Sequence, residues 1–350
     1  MRKRTLKVIG IFFIIVVALL IFAGRSTDTI WGRIIRWGPA KVNHYKVFPI
    51  HKLTAAPSFF SFPKNDSEEM IRSIFSDIEY TKNQKVGDLD QFLERTKTQA
   101  FIVIHRDKVL FEKYYNGCSR DSIVTSFSVA KSFTSALIGL AIDEGYIHSV
   151  NDPITDYLPE LKVRDSRFSD VKISDLLHMS SGFGFREPPD DIISYYDPNL
   201  RKAALERARI EEEPGKHYLY NKYHPQLLGI ILERATKRPV TQYLQEKIWN
   251  PLGMEFDGSW SIDSTEHQFE KMECGINDRA IDFAKFGRLY VRQGNWDGKQ
   301  LISSNWIQTS ALPYIPQDKD YYPNWPFFHD SSGYYAFMWW GIKRNNESND

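Results

Sequence analysis

The chain has 350 residues, enough for one large domain or two smaller ones. Its 42% hydrophobic and 25% charged content is ordinary for a globular protein, and a formal net charge of +1 gives no basic field to hold nucleic acid. Two cysteines, Cys118 and Cys274, are too few for a disulfide scaffold and lack metal-ligand spacing; whether they pair is open.

Four basic residues, Arg2, Lys3, Arg4 and Lys7, precede Val8 to Gly24, a stretch of 17 residues with no charged or strongly polar side chain. That length is near the lower limit for crossing a bilayer and longer than most signal-peptide cores. Residues 1–24 therefore read as a cytoplasmic stub and an uncleaved signal-anchor transmembrane helix, a single pass that leaves the body outside the cytoplasm. A cleaved signal peptide is the alternative and puts the body on the same side. Residues 25–94 read as a connecting segment. Within it, Trp31 to Gly38 is amphipathic and suits either the membrane surface or packing against the body. Pro49, Pro57 and Pro63 interrupt the next stretch, and Met70, Ile71, Ile74, Phe75 and Ile78 give 68–80 a helical period.

From Thr98 the pattern becomes strand-like. The stretches 100–105 and 109–115 flank a turn at Arg106 to Lys108 and predict an antiparallel hairpin. An apolar run from Val129 through Ile142 stops at Gly145 and predicts a buried helix. The strand pair leads into it, so residues at the helix start are expected at a sheet edge. The stretch 150–159 is turn-rich, 173–179 is short and apolar, and 180–185 reads as a flexible link. Residues 190–250 are mostly helical, with apolar faces in 200–208, 225–237 and 240–249. A further helix is expected over 279–291, and 333–340 reads as an aromatic strand. There is no internal repeat, and the pattern is that of an α/β body interrupted by helices.

The chemistry-bearing stretch is Ser128-Val-Ala-Lys131, at the start of the buried helix. On a helix the two side chains lie on one face, one turn apart. A serine hydroxyl needs an adjacent base to act as a nucleophile. Lysine serves as that base where burial or neighbouring positive charge lets it lose its proton, and a helix N-terminus adds positive potential. Ser-x-x-Lys also occurs by chance, and Ser61/Lys64 and Ser169/Lys172 match it too. Ser61 precedes Phe62-Pro63, where proline disfavours helix, and Ser169 opens no long apolar run. Other hydrolase schemes lack their residues: there is no Gly-x-Ser-x-Gly elbow, no His-Glu-x-x-His, and no phosphate-cradling glycine loop after a strand.

Further segments follow in a fixed order. They are Ser126-Phe-Ser-Val-Ala-Lys-Ser132, Asp152-Pro-Ile-Thr-Asp-Tyr-Leu-Pro159 and Leu176-Leu-His-Met-Ser-Ser-Gly-Phe183, then Tyr220-Asn-Lys-Tyr-His-Pro-Gln-Leu-Leu-Gly229, Pro251-Leu-Gly-Met254 and Asp282-Phe-Ala-Lys-Phe-Gly-Arg-Leu-Tyr290. Together they resemble the serine β-lactamase/penicillin-binding superfamily, in its class C-related branch with the 6-aminohexanoate-oligomer hydrolases. The resemblance implies an α/β (α+β) fold of β-lactamase/transpeptidase type over residues 95–350, an antiparallel sheet flanked by helices plus a helical subdomain. It implies a serine hydrolase of amides or esters, working on a small-molecule or peptide substrate with no metal or organic cofactor. Ser128 would be the nucleophile, Lys131 its base, and Tyr220 a proton-sharing partner from the family's Tyr-x-Asn/Ser motif. Without the resemblance, Tyr220 is one of eighteen tyrosines and reads as core. Lys222 stands where the family has Asn or Ser, and is read as substrate-binding or as a second cation near Lys131. The family's third motif has no clear counterpart. Ser331-Ser-Gly333 is a loose match, and 334–340 resembles the aromatic strand that precedes that motif. The polar end, Lys343 to Asp350, carries the expectation that the family's final strands and helix are missing, which would leave the Ser128 N–H as the oxyanion donor. A catalytically impaired penicillin-binding-like protein, with a binding or regulatory role in the cell envelope, is the alternative.

Overall fold

Thr29 opens the first described helix, Ile30–Trp37 (α1), its hydroxyl accepting from the Gly32 N–H at 3.0 Å. In this computed structural model residues 26–65, 67–81, 84–312 and 333–342 are described. The expected membrane helix at 1–24 and the polar end at 343–350 lie outside the described residues. No described helix is long and apolar enough to cross a membrane. Of the two expectations for α1, packing is realised on one face. Arg33 is buried and donates to the carbonyls of Thr27 and Tyr196, and Trp37 meets Phe48 edge-on with ring centroids 4.8 Å apart. Trp31 and Ile35, one turn apart, stay exposed.

Within 25–94, Ile50–Leu53 forms an outer strand (β1), and Glu68–Ser76 is helical as its period predicts. The hairpin follows as Ala100–His105 (β2) and Lys108–Tyr114 (β3). Its two turn residues, Arg106 and Asp107, have φ of 50° and 63°, the handedness that matches strand twist. After Val124–Thr125 (β4) comes the long helix Ala130–Asp143 (α2), which buries twelve of its fourteen residues. A helix apolar on all sides is a core helix, and α2 is the centre of this one. The helical part holds Ile173–Leu177 (α3), Pro189–Tyr196 (α4), Leu200–Arg207, Tyr223–Thr236 (α5) and Val240–Leu244 (α6). The last of these runs on as a π-turn over Gln245–Trp249. Then come Gly258–Ser261 (β5), Ile276–Asp278 (β6), Ala280–Val291 (α7), and the strands Gly333–Tyr335 (β7) and Trp340–Ile342 (β8).

The main sheet is antiparallel in the order β1-β5-β6-β4, with Ile50 opposite Ser261, Trp260 opposite Ile276, and Thr125 opposite Asn277. On one flank α5 packs along α2 within a single core cluster that includes Phe133, Leu137, Leu227, Leu228 and Ile231. On the other, Phe133 stacks face to face on Phe286 of α7 at 3.7 Å. Gly139 has no side chain because a Cβ there would lie 2.4 Å from the Trp306 ring.

Three sequence expectations are corrected, and the open question of the two cysteines is answered. The β2–β3 hairpin does not lead into α2. It forms a sheet of its own, and β4, paired to β6, delivers the chain to the helix. Asn116 and Gly117, both at positive φ, turn the chain away from the hairpin first. The link 180–185 is not a flexible surface segment but is buried as far as Gly184. The carbonyls of Ser180 and Gly182 accept from Gly215, Glu211 and Glu212, so a neighbouring segment pins its backbone. The aromatic run 333–340 is not one strand: it folds back at Met338 (φ 61°) into a β7–β8 hairpin. Cys118 and Cys274 do not pair; both are free thiols.

Candidate active site

Ser128 sits in a 3-10 turn, Phe127–Val129, wedged between β4 and α2. The expected one-turn spacing to Lys131 holds, although the serine lies just before the α-helix rather than in its first turn. Ser126 clamps this turn to the sheet. Its N–H donates to the Ile276 carbonyl at 2.7 Å, and its hydroxyl accepts from the Ile276 N–H at 3.1 Å. Between clamp and nucleophile, Phe127 has φ of 39°, a left-handed conformation that costs a non-glycine residue energy and that the sheet and helix must impose together. The result is an exposed Ser128 above a Lys131 that is 1% exposed.

The Lys131 Nζ donates to Ser128 Oγ at 3.2 Å and to the Glu273 carbonyl at 2.7 Å. It also stands 5.0 Å from the centre of the Tyr220 ring. Burial takes the side chain out of water, and the two acceptors fix its nitrogen against the serine hydroxyl. The rival motifs lack this environment. Lys64 and Lys172 are both exposed, so neither is dehydrated against its serine.

Tyr220 comes from the irregular stretch before α5. It is half-buried, with its ring against Tyr335 at 6.1 Å and Trp340 at 5.8 Å, so the β7–β8 hairpin forms the wall beside it. Next to it, Asn221 is buried and accepts from the Tyr223 N–H at 2.9 Å. The Lys222 ammonium pairs with Asp191 of α4 at 2.6 Å. Ser128, Lys131 and Tyr220 are thus brought together, and the charge of Lys222 is engaged by its own carboxylate. Ser331 and Ser332 lie outside the described residues.

A buried serine–histidine pair also exists, Ser181 Oγ to His224 Nε2 at 2.7 Å. It has no catalytic shape: the other ring nitrogen faces Met179 Sδ at 3.2 Å instead of a carboxylate, and burial pushes His224 down to about 3. A cavity of about 630 Å³ lined by His51, Thr241, Gln245 and Asn250 lies elsewhere and shares no residue with the Ser128 site. Among the described residues, no group of three or more His, Cys, Asp or Glu is placed to hold a metal ion.

Sequence reasoning missed Glu273. Its carbonyl is the second acceptor for Lys131, yet it lies 142 positions away in an irregular stretch between β5 and β6 with no motif of its own.

Comparison with known proteins bears on this geometry. A family model described as Beta-lactamase matches residues 88–269, just over half of the chain. The chain is 27% identical over 284 residues to the 6-aminohexanoate-dimer hydrolase of Paenarthrobacter ureafaciens, a match covering 75% of this chain and 70% of that protein. With the teichoic acid D-alanine hydrolase of Staphylococcus aureus the identity is 21% over 264 residues, covering 72% of this chain and 60% of that protein. Of other relatives it spans 46% of the length or less. Among solved structures, the "Putative 6-aminohexanoate-dimer hydrolase from Bacillus anthracis" superposes with a TM-score of 0.69 at 22% identity, over 85% of this chain and 78% of that one, a likeness of fold.

Proposed function

Because the chain belongs to the Beta-lactamase family of serine hydrolases, we propose that it cleaves an amide or ester through an acyl-enzyme on Ser128. The observation that carries the reading is the 3.2 Å contact between an exposed Ser128 and a buried Lys131. In the proposed cycle Lys131 begins as the neutral amine: Ser128 Oγ attacks the substrate carbonyl, forming the C–O bond as its proton passes to the Lys131 nitrogen. The bond to the leaving amine or alkoxide then breaks, and Lys131, with Tyr220 beside it, returns the proton to that group. Water repeats the sequence in reverse roles: it adds to the acyl carbon, gives its proton to Lys131, and Ser128 leaves with that proton. The Ser128 N–H, at the positive end of α2, is the oxyanion donor in this scheme.

The names of the relatives, for a 6-aminohexanoate dimer and for the D-alanine of teichoic acid, support a small amide or ester substrate. The proposal includes a membrane-anchored, extracytoplasmic enzyme, supported by the basic stub and the apolar residues 8–24. Protease accessibility in intact cells, with and without residues 1–24, tests that part. For the chemistry, a fluorophosphonate probe should label Ser128 in the full chain, and hydrolysis of a p-nitrophenyl ester should vanish in Ser128→Ala. A folded protein with neither labelling nor turnover would instead support a silent binding role.

A further inference from the structure

Beneath Lys131 lies a buried polar cluster that the cycle above does not use. The Glu273 side chain is 3% exposed and Lys271 is 1% exposed, with Lys271 Nζ 3.3 Å from Glu273 Oε1. The same oxygen accepts from Cys274 Sγ at 3.2 Å, and Glu273 Oε2 accepts from Gln226 Nε2 of α5 at 3.3 Å. Lys271 is held as a cation on its far side. It donates to the Tyr195 carbonyl at 2.6 Å and stands over the rings of Tyr195 and Phe48 at 4.3 and 4.5 Å. Glu273 therefore has donors on both carboxylate oxygens, and its main-chain oxygen is the one that grips Lys131.

Burying a carboxylate and two ammonium groups is expensive, and an isolated ion pair here would be matched or bettered by apolar side chains. The pair sits on the residue whose main chain touches the proposed base. We infer that the Glu273–Lys271 pair is a charge-positioning device that sets the field at Lys131 and so the pH at which Ser128 becomes reactive. This rests on the serine-hydrolase reading just given. The groups in contact with Lys131 are Ser128 on its own turn, the Tyr220 ring, which packs on Tyr335, and the main chain of Glu273, whose carboxylate carries Lys271 and Cys274 from the same β5–β6 connection. Gln226 reaches the cluster from α5 and Tyr195 from α4. The carboxylate is ionised: the charges of Lys271 and Lys131 and the Cys274 hydrogen bond hold it below the usual range against its burial. The same carboxylate and burial push the Cys274 thiol up, so Cys274 acts as a neutral donor. Glu273 thus places a negative charge and Lys271 a positive one in the cluster beneath the base, and both are buried away from solvent.

The sign of each perturbation follows without knowing which charge lies nearer. Glu273→Gln removes a negative charge and favours loss of the base proton, so the pH midpoint of acylation moves to the acid side. Lys271→Met removes a positive charge and moves it to the alkaline side. Each shift should be about one pH unit, the scale of a neighbouring charge in a buried site. The Glu273→Gln/Lys271→Met protein, which loses a neutral pair, should return close to the parent. The experiment is the rate of fluorophosphonate labelling of the full chain as a function of pH. A fluoride leaving group needs no proton, so the profile reports activation of Ser128. If the pair were merely structural, the variants would lose amplitude without moving the midpoint. Superimposed midpoints, or single variants that move the same way, would overturn the inference. Should Glu273→Gln fail to fold, Lys271→Met and the paired variant still decide it by an alkaline shift and its reversal. A parent protein that is never labelled refutes the serine-hydrolase reading and this inference with it, whereas labelling with unmoved midpoints refutes this inference alone.

Discussion

Replacing Lys131 with methionine separates the chemistry of the site from its stability. Methionine has nearly the same length and fills the same space in α2, but it donates nothing. Two bonds disappear, the 3.2 Å contact to Ser128 Oγ and the 2.7 Å contact to the Glu273 carbonyl. Leaving that buried carbonyl unpaired costs about 1–3 kcal/mol. Against this, a 1%-exposed ammonium is no longer taken out of water, which relieves a penalty of several kcal/mol, and Glu273 keeps Lys271 as its charge partner. The melting temperature should therefore equal or exceed that of the parent. Fluorophosphonate labelling of Ser128 should slow by about a thousandfold, the usual worth of a positioned general base. The assay pairs thermal unfolding with labelling rate on the same preparation. Labelling within about tenfold of the parent would refute the role of Lys131 as base, because a base contributes at least about a hundredfold. Loss of labelling that merely tracks loss of folded protein would refute the claim that Lys131 is there for chemistry.

Three further predictions concern the frame that holds the site. Lys285→Met should destabilise the fold by about 3 kcal/mol in urea titration, because it leaves Asp282, fully buried and 2.6 Å from the lysine, uncompensated. A loss below about 1 kcal/mol would show that the Glu255 and Phe256 N–H groups suffice to hold that carboxylate. Gly182→Ala should cost more than about 1–2 kcal/mol. Its φ is 75°, and the new methyl would lie 2.3 Å from the Glu212 carbonyl oxygen. An unchanged denaturation midpoint would mean that 180–185 yields freely. His51 pairs with buried Glu270 at 3.0 Å, and that hydrogen bond raises its pKa above the usual 6.5. The sign is that of a raised group: the pair's stabilisation is complete below about pH 6.5 and is lost as pH rises through the raised value. Stability measured across that window should fall with rising pH in the parent and fall less in His51→Gln; parallel curves would contradict it.

The legible parts of this molecule are those whose signals are local. The run from Val129 to Ile142 is predominantly apolar and long enough for a core helix, and Ser128 and Lys131 at its start are one helical turn apart. The hairpin and its turn at Arg106 and Asp107 were legible for the same reason. The parts that were missed or misread depend on distant partners. A two-residue strand such as Val124–Thr125 has no periodicity to read, and its place in the sheet is set by Ile276–Asp278, some 150 residues later. The polar, glycine-rich 180–185 has the composition of a mobile link, but hydrogen bonds from 211–215 bury it. Glu270, Lys271 and Glu273 have the composition of a solvated charge run, yet each is almost wholly buried against partners from β1, α4, α5 and α6.

The same distinction divides the site. Attack requires one group in water's reach and another removed from it, and the 3-10 turn running into α2 achieves this within three residues: Ser128 stays at the surface while Lys131 descends into the core. The local sequence places the base, and the other side chains of the first turns of α2 carry no charge. The field must come from elsewhere in the chain. It comes from the segment after β5, where the residue that accepts the Lys131 hydrogen bond through its main chain carries a carboxylate on its side chain. A substitution at Gln226 or Cys274 removes a donor from that carboxylate and reaches Ser128 through Lys131 without touching either of them.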